Sequence, residues 1–233
     1  EKKFGDINKT KAKTIINDAK NAGKQFLAAQ EVYDLLSCYK IPVAPWRIVN
    51  DVDDTVIAAE EIGFPVVVKA DSESIIHKSD LGGVEINLKN SKEVLEVAEN
   101  MKKKFNVHDL KFFIQKFLPG GKELIAGASA KNGLGHLVMF GIGGIYVEIL
   151  KDVVFKIAPV TGLEAEEMLS SVKGSKLLEG VRGEKGIDKE KIVEIIQRLS
   201  QLVGDFPLIK EMDLNPIIAF EDSVYIVDAR IKI

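Results

Sequence analysis

The sequence predicts an α+β fold divided into two lobes. Helical and extended apolar periodicities are mixed along the whole chain, and several strands are spaced for antiparallel pairing rather than for the regular alternation of a doubly wound sheet. Fourteen of the 19 glycines follow Leu118, so a turn-rich second half succeeds a helix-rich first half. At 233 residues the chain is long for one ordinary domain and short for two.

Taken in order, residues 1–25 are rich in Lys, Asn and Asp and read as an exposed helical arm. Phe26, Leu27, Val32, Leu35, Leu36 and Tyr39 form a helix stripe that Pro42 and Pro45 terminate. A strand is expected at Trp46–Val49. A helix follows from Asp51 to Ile62, with Asp53 and Asp54 at the positive end of its dipole and Gly63 just past its end. Pro65–Ala70 is an apolar run of the kind buried on both faces, and Val84–Leu88 alternates as a strand. Ser91 is positioned to cap a helix reaching about Phe105. Phe112–Leu118 is a further strand, broken by Pro119, Gly120 and Gly121.

In the second half strands are expected at 122–129, 136–141 and 153–157, and Thr161 and Glu164 have capping-box spacing. A Gly-spaced segment at 174–186 precedes an amphipathic helix from Asp188 to Val203. Strands at 208–218, interrupted at Asn215-Pro216, and at 224–227 close the chain. The expected division is therefore an arm at 1–25, a small lobe at 26–118 and a large lobe at 119–233.

Composition narrows the function classes. Hydrophobic residues are 46% and charged residues 29%, an ordinary globular balance. A net charge of −3 argues against a general nucleic-acid or anionic-membrane binder. Cys38 is the single cysteine, which excludes an intrachain disulfide and a cysteine metal cage. No apolar run reaches membrane-spanning length and no signal-peptide pattern opens the chain, so a cytoplasmic protein is expected.

Several motifs are absent: the P-loop, a completed Gly-x-Gly-x-x-Gly fingerprint, and a Gly-x-Ser-x-Gly elbow. Four features carry candidate chemistry. Lys69 ends a buried strand, where an ammonium suits phosphate oxygens. Gln115 to Glu123 is an apolar strand, a glycine turn and a carboxylate; such a crossover can offer backbone groups to an adenine edge and a carboxylate to ribose hydroxyls. Alternation places Glu211, Asp213 and Asn215 on one strand face, with Asp228 nearby. Such oxygen donors are costly on an apolar strand unless paired or coordinating, and they suit Mg²⁺. His77 lies in a polar stretch, and imidazole can accept a phosphoryl group. His108 and His136 lack such a setting and read as ordinary surface histidines.

Three segments together resemble an ATP-grasp fold: Gly63-Phe-Pro-Val-Val-Val-Lys69, Gln115 to Glu123, and Asp213-Leu-Asn215-Pro with Asp228. Three more specific pieces are His77-Lys-Ser-Asp-Leu-Gly-Gly-Val84, Gly141-Ile-Gly-Gly-Ile-Tyr-Val-Glu148 and Glu211-Met-Asp-Leu-Asn-Pro-Ile217. With them, the stretch from about Ala28 to Ile231 resembles the beta subunits of ADP-forming acetyl-CoA synthetases, relatives of succinyl-CoA synthetase. The resemblance implies two α+β lobes with ATP or ADP between them, and Mg²⁺ as cofactor. It implies the reaction acyl-CoA + ADP + phosphate ⇌ acid + ATP + CoA, and a CoA-binding alpha subunit as partner in an α2β2 assembly. By the same resemblance His77 accepts the phosphoryl group, with Asp80 a candidate to orient its ring. Lys69 meets nucleotide phosphates, and the backbone of Lys116, Phe117 and Leu118 holds adenine. Glu123 holds ribose, Asn215 and Asp228 bind Mg²⁺ with Asp213 beside them, and Arg230 meets phosphate. Gln115 stands where many members of the fold carry Glu, and the spacing to Glu123 contains an extra glycine. No segment remains for a CoA-binding domain, so the chain is expected to need its partner. Two rival readings stay open: a stand-alone carboxylate–amine ligase, and an ATP-binding regulatory module without turnover.

Overall fold

The computed structural model describes residues 2–72, 82–144, 152–180 and 186–233. They fall into two compact units, Ala44–Pro119 on one hand and Glu1–Val43 with Gly120–Ile233 on the other.

The smaller unit is an antiparallel sheet under two helices. Its strands β1 (Trp46–Val49), β2 (Val66–Asp71), β3 (Val84–Leu88) and β4 (Lys111–Lys116) lie in the order β1-β4-β2-β3. In register, Trp46 and Val67 flank Gln115, while Ile48 and Lys69 flank Phe113. Residues opposite one another share a sheet face, so these six side chains line one face. The other face is the core: Val66, Val68, Ala70, Phe112 and Ile114 pack under Ala58 and Ala59 of α3 (Val52–Ile62) and Val94, Ala98 and Met101 of α4 (Ser91–Lys104). Gly63 ends α3 at φ 84°, a backbone angle that favours glycine. The cap of α4 is Asn90 rather than Ser91. The Asn90 side chain accepts from the Glu93 N–H at 3.0 Å, and Ser91, one residue inside, donates to Glu60 instead.

In the larger unit, β5 (Lys122–Lys131), β6 (Gly135–Ile142), β7 (Val153–Ile157), β8 (Glu211–Ala219) and β10 (Ala229–Lys232) are ordered β10-β8-β5-β6-β7, with β9 (Val224–Ile226) also on β8. Every pairing is antiparallel. Leu124, Ala126 and Ala128 face Ile142, Phe140 and Val138 on one side and Ile217, Leu214 and Met212 on the other; all are buried. They form the core face, against which α7 (Lys189–Asp205) packs with its buried Ile192, Ile195, Ile196 and Leu199. The shorter α5 (Gly162–Ser171) and α6 (Ser175–Leu178) precede it, and Thr161 makes the predicted capping box with Glu164.

The N-terminal residues are not an exposed arm, and residues 26–43 do not belong with the smaller unit. In α1 (Lys9–Asn21) the small stripe Ala12, Ile16 and Ala19 is buried, and α1 packs on α2 (Ala29–Cys38). Helix α2 in turn buries Val32, Leu35 and Leu36 and packs near β10. The fully buried Tyr39 donates to Asp205 at 2.7 Å; burial, then that bond, pushes its hydroxyl pKa upward. Arg198 of α7 grips Asp6 through two 2.9 Å bonds and lies 4.0 Å from the Phe4 ring centroid. Gln25–Leu27 add a short edge to β10, with Leu27 N–H donating to Ile231 O. The stripe was hidden from composition because two of its three members are alanines.

Candidate functional site

In the larger unit the chemistry gathers on the sheet face away from α7. Strand β8 reads exposed, buried, half-buried, buried, exposed from Glu211 to Asn215. Met212 and Leu214 therefore enter the core, and Glu211, Asp213 and Asn215 face outward as their alternation requires. Arg230 stands directly across from Asp213, and the Asn215 N–H donates to the Asp228 carbonyl at 3.0 Å. Asp213, Asn215, Asp228 and Arg230 are thus brought together. Burial pushes the Asp213 carboxyl pKa up, the negative charges of Asp228 and Glu211 push it the same way, and Arg230 opposes them. Arg230 and Lys232 also lie over the Phe26 ring, at 4.1 and 5.7 Å from its centroid.

Between Leu124 and Ala126 the register with β8 slips, so β8 carries an extra residue at Asn215-Pro216. Such bulges bend a strand and re-aim side chains. Across from Asp213 stands Gly127, where a Cβ would meet the Met212 carbonyl oxygen at 2.6 Å. The sequence reading missed this residue; an isolated glycine within a strand pattern was the available signal. Oxygen-bearing side chains gathered on one sheet face suit a hard cation that keeps water and phosphate among its ligands. Among the described residues no three His, Cys, Asp or Glu side chains converge as a complete metal cage.

Glu123 opens β5 on the same face, across from Ile218. Its carbonyl accepts from the Gly143 N–H at 2.7 Å. A Cβ on Gly144, whose φ is +61°, would lie 3.2 Å from Glu123 Oε2. The two glycines let the β6 exit pass directly against this carboxylate.

In the smaller unit Lys69 and Gln115 share the face opposite the core. Lys69 Nζ sits 5.4 Å from the Phe113 ring centroid, and Gln115 is fully buried between Trp46 and Val67 in register. The expected adenine-binding backbone is partly committed elsewhere: Lys116 N–H donates to Pro45 O at 2.8 Å, and Phe117 N–H to Pro65 O at 3.0 Å. Strand β4 ends at Lys116 rather than Leu118. The Lys116 ammonium donates to the carbonyls of Gly63 and Phe64, at 2.8 and 2.7 Å, where it meets the negative end of α3. The Phe117 and Leu118 side chains are both half-buried.

His77 and Asp80 lie outside the described residues, as does the 145–148 part of the glycine motif. Ser72 donates to Asp109 at 2.8 Å, and Gly83 O accepts from Ala70 N–H at 2.8 Å. His108 is exposed, but His136 is not a surface residue: it is 7% exposed, with Nε2 2.6 Å from Ile209 O. Alternation with the buried Val138 along β6 was the signal for its burial.

Residues 18–233 match the model of the ATP-grasp domain. The chain is 46% identical to the 4-hydroxybutyrate–CoA ligase [ADP-forming] of Nitrosopumilus maritimus, across 97% of this chain and 33% of that one. It therefore spans about a third of the length of that relative. It is 42% identical to the acetate–CoA ligase [ADP-forming] I subunit beta of Pyrococcus furiosus, across 94% of this chain and 97% of that subunit. The dinucleotide forming acetyl-coenzyme A synthetase 1 of Ca. Korarchaeum cryptofilum was solved with coenzyme A and Mg-AMPPCP, its phosphohistidine segment pointing towards the nucleotide binding site. It superposes with a TM-score of 0.86 at 37% identity, over 95% of this chain and 99% of that one. The chain belongs to the ATP-grasp domain family, in the group formed by the beta subunits of ADP-forming acetate–CoA ligases.

Proposed function

We propose that this chain is the nucleotide-binding beta subunit of an ADP-forming acyl-CoA synthetase, working in the cytoplasm with a CoA-binding alpha subunit in an α2β2 assembly. The observation that carries the reading is end-to-end agreement with the Pyrococcus furiosus beta subunit at 42% identity. The overall reaction is acyl-CoA + ADP + phosphate ⇌ acid + ATP + CoA. The acyl group leaves CoA as an acyl phosphate on the partner. Its phosphoryl group passes to the imidazole of His77 and then to the terminal oxygen of ADP.

The roles follow from the chemistry of each side chain. Lys69 carries a charge suited to the β-phosphate of ADP, and the segment Gln115–Leu118 forms the adenine edge. Glu123 accepts from the ribose hydroxyls, and Arg230 meets a phosphate oxygen. Asn215 and Asp228 hold Mg²⁺ with Asp213 beside them. The fit rests on Asp213, Asn215 and Asp228 being gathered on one sheet face, where burial and then the charges of Asp228 and Glu211 disfavour the Asp213 carboxylate and a divalent cation would favour it. Bound Mg²⁺ supplies charge neutralisation for phosphoryl transfer. Histidine suits a relay because its phosphoramidate keeps high transfer potential, so the reaction stays reversible.

The test is to incubate the purified chain with Mg²⁺ and γ-labelled ATP, then assay acid-labile, base-stable phosphate. Label on the wild type that disappears in His77→Ala is the expected result. No label, even with the alpha subunit and acyl-CoA present, removes the relay. Turnover by the chain alone with an amine acceptor would instead identify a carboxylate–amine ligase.

A further inference from the structure

We propose that Phe113 is a positioning residue for Lys69, holding its ammonium on the sheet face opposite the core before a phosphate arrives. This rests on the reading of Lys69 as a phosphate contact. The two residues are direct cross-strand partners, and Lys69 Nζ lies 5.4 Å from the Phe113 ring centroid, within cation–π range. The ring is itself fixed. Phe113 is 3% exposed, flanked across the sheet by Ile48 and stacked on the Trp46 indole at 5.7 Å between centroids, only 8° from parallel. Trp46 comes from β1, Phe113 from β4 and Lys69 from β2, so three strands set one ammonium in place.

The physical value lies in what a ring does to a cation. A lysine has a long flexible stem whose freedom is lost when it binds a phosphate. A ring that already restricts the stem lowers that ordering cost at the moment of binding. The sequence reading placed Lys69 at the end of a buried strand, but nothing in it paired Lys69 with Phe113, because the register between β2 and β4 is not written in either strand alone.

The experiment measures dissociation constants of Mg-ADP and of adenosine for wild type, Phe113→Leu, Phe113→Tyr, Lys69→Met and the Phe113→Leu/Lys69→Met double variant. Trp46, the single tryptophan, reports the state of the stack by its fluorescence. Phe113→Leu is expected to weaken Mg-ADP by roughly two- to thirty-fold and to leave adenosine unchanged. Phe113→Tyr, which keeps a ring, should bind as wild type, and the double variant should be no weaker than Lys69→Met alone. If Lys69→Met does not weaken Mg-ADP, the phosphate role itself falls. If Lys69→Met weakens it but Phe113→Leu does not, the positioning role is overturned while the phosphate role stands. Equal loss of Mg-ADP and adenosine in Phe113→Leu, or additive losses in the double variant, overturns it too.

Discussion

Replacing Asp213 with Asn should stabilise the protein while weakening its grip on Mg-nucleotide. Asp213 is half-buried, and its carboxyl pKa is raised first by burial, then by Asp228 and Glu211. Glu211 lies two residues along the same strand, roughly 6.7 Å away at strand rise. Asp228 occupies the diagonal position beside Arg230, roughly 7 Å away. Two unit charges at roughly 7 Å repel by about 0.6 kcal/mol in water and by more in a less polar medium. Arg230, directly across, offsets part of the sum, and desolvation adds to it. The net cost of the charge is about 0.5–1 kcal/mol, or about 1–4 °C in Tm for a chain of this size. The sign with pH follows. A carboxyl whose folded pKa lies above its ordinary value near 3.8 costs nothing while protonated in both states. The cost grows as pH rises through the interval from that value to the raised one, and is complete above it. Asp213→Asn should therefore melt higher than wild type at pH 7 in EDTA, with the gap narrowed at pH 3.8 and closing below it. Scanning calorimetry at the two pH values measures both. A variant that melts lower at pH 7, or whose gap is the same at both pH values, would refute the electrostatic account of this face.

Asp228 is exposed, so Asp228→Asn should leave Tm within about 1 °C while raising the Kd of Mg-ADP about tenfold or more; fluorescence titration with Trp46 reads the affinity, and matched losses of Tm and affinity would count against a metal role. Arg198→Met should cost about 2–3 kcal/mol in urea unfolding, because it leaves Glu194 with Lys191 alone, takes the Arg198 donor from the Tyr39 carbonyl, releases Asp6 and removes the cation from the Phe4 ring. Asp6 is itself 54% exposed and returns to water, which keeps the loss below that of a wholly buried pair. A loss under about 0.5 kcal/mol, the level of a surface change, would show that the N-terminal segment adds nothing to the larger unit.

What could be read from sequence was whatever depends on local spacing. Period-two alternation placed Glu211, Asp213 and Asn215 outward, and the Thr161–Glu164 box forms as spaced. What escaped depends on partners distant in the chain. The α1 stripe of Ala12, Ile16 and Ala19 looked too weak to bury, yet α2 covers it. The Pro42–Pro45 stretch ends a helix, but it also marks where the chain leaves the larger unit for the smaller, and local pattern cannot tell the two apart. At the start of α4 both Asn90 and Ser91 are good caps, and the choice turns on Glu60 from α3 capturing the serine. Lys116 was expected to serve through its backbone; its N–H and its ammonium both secure the smaller unit, through carbonyls that sequence could not place beside it.

Isothermal titration of the purified chain with ADP, in Mg²⁺ and again in EDTA, tests the central claim most directly. The account predicts one nucleotide per chain in Mg²⁺, with affinity falling sharply in EDTA and in Asp228→Asn. No binding at millimolar ADP in Mg²⁺, or equal affinity with and without Mg²⁺, would contradict it.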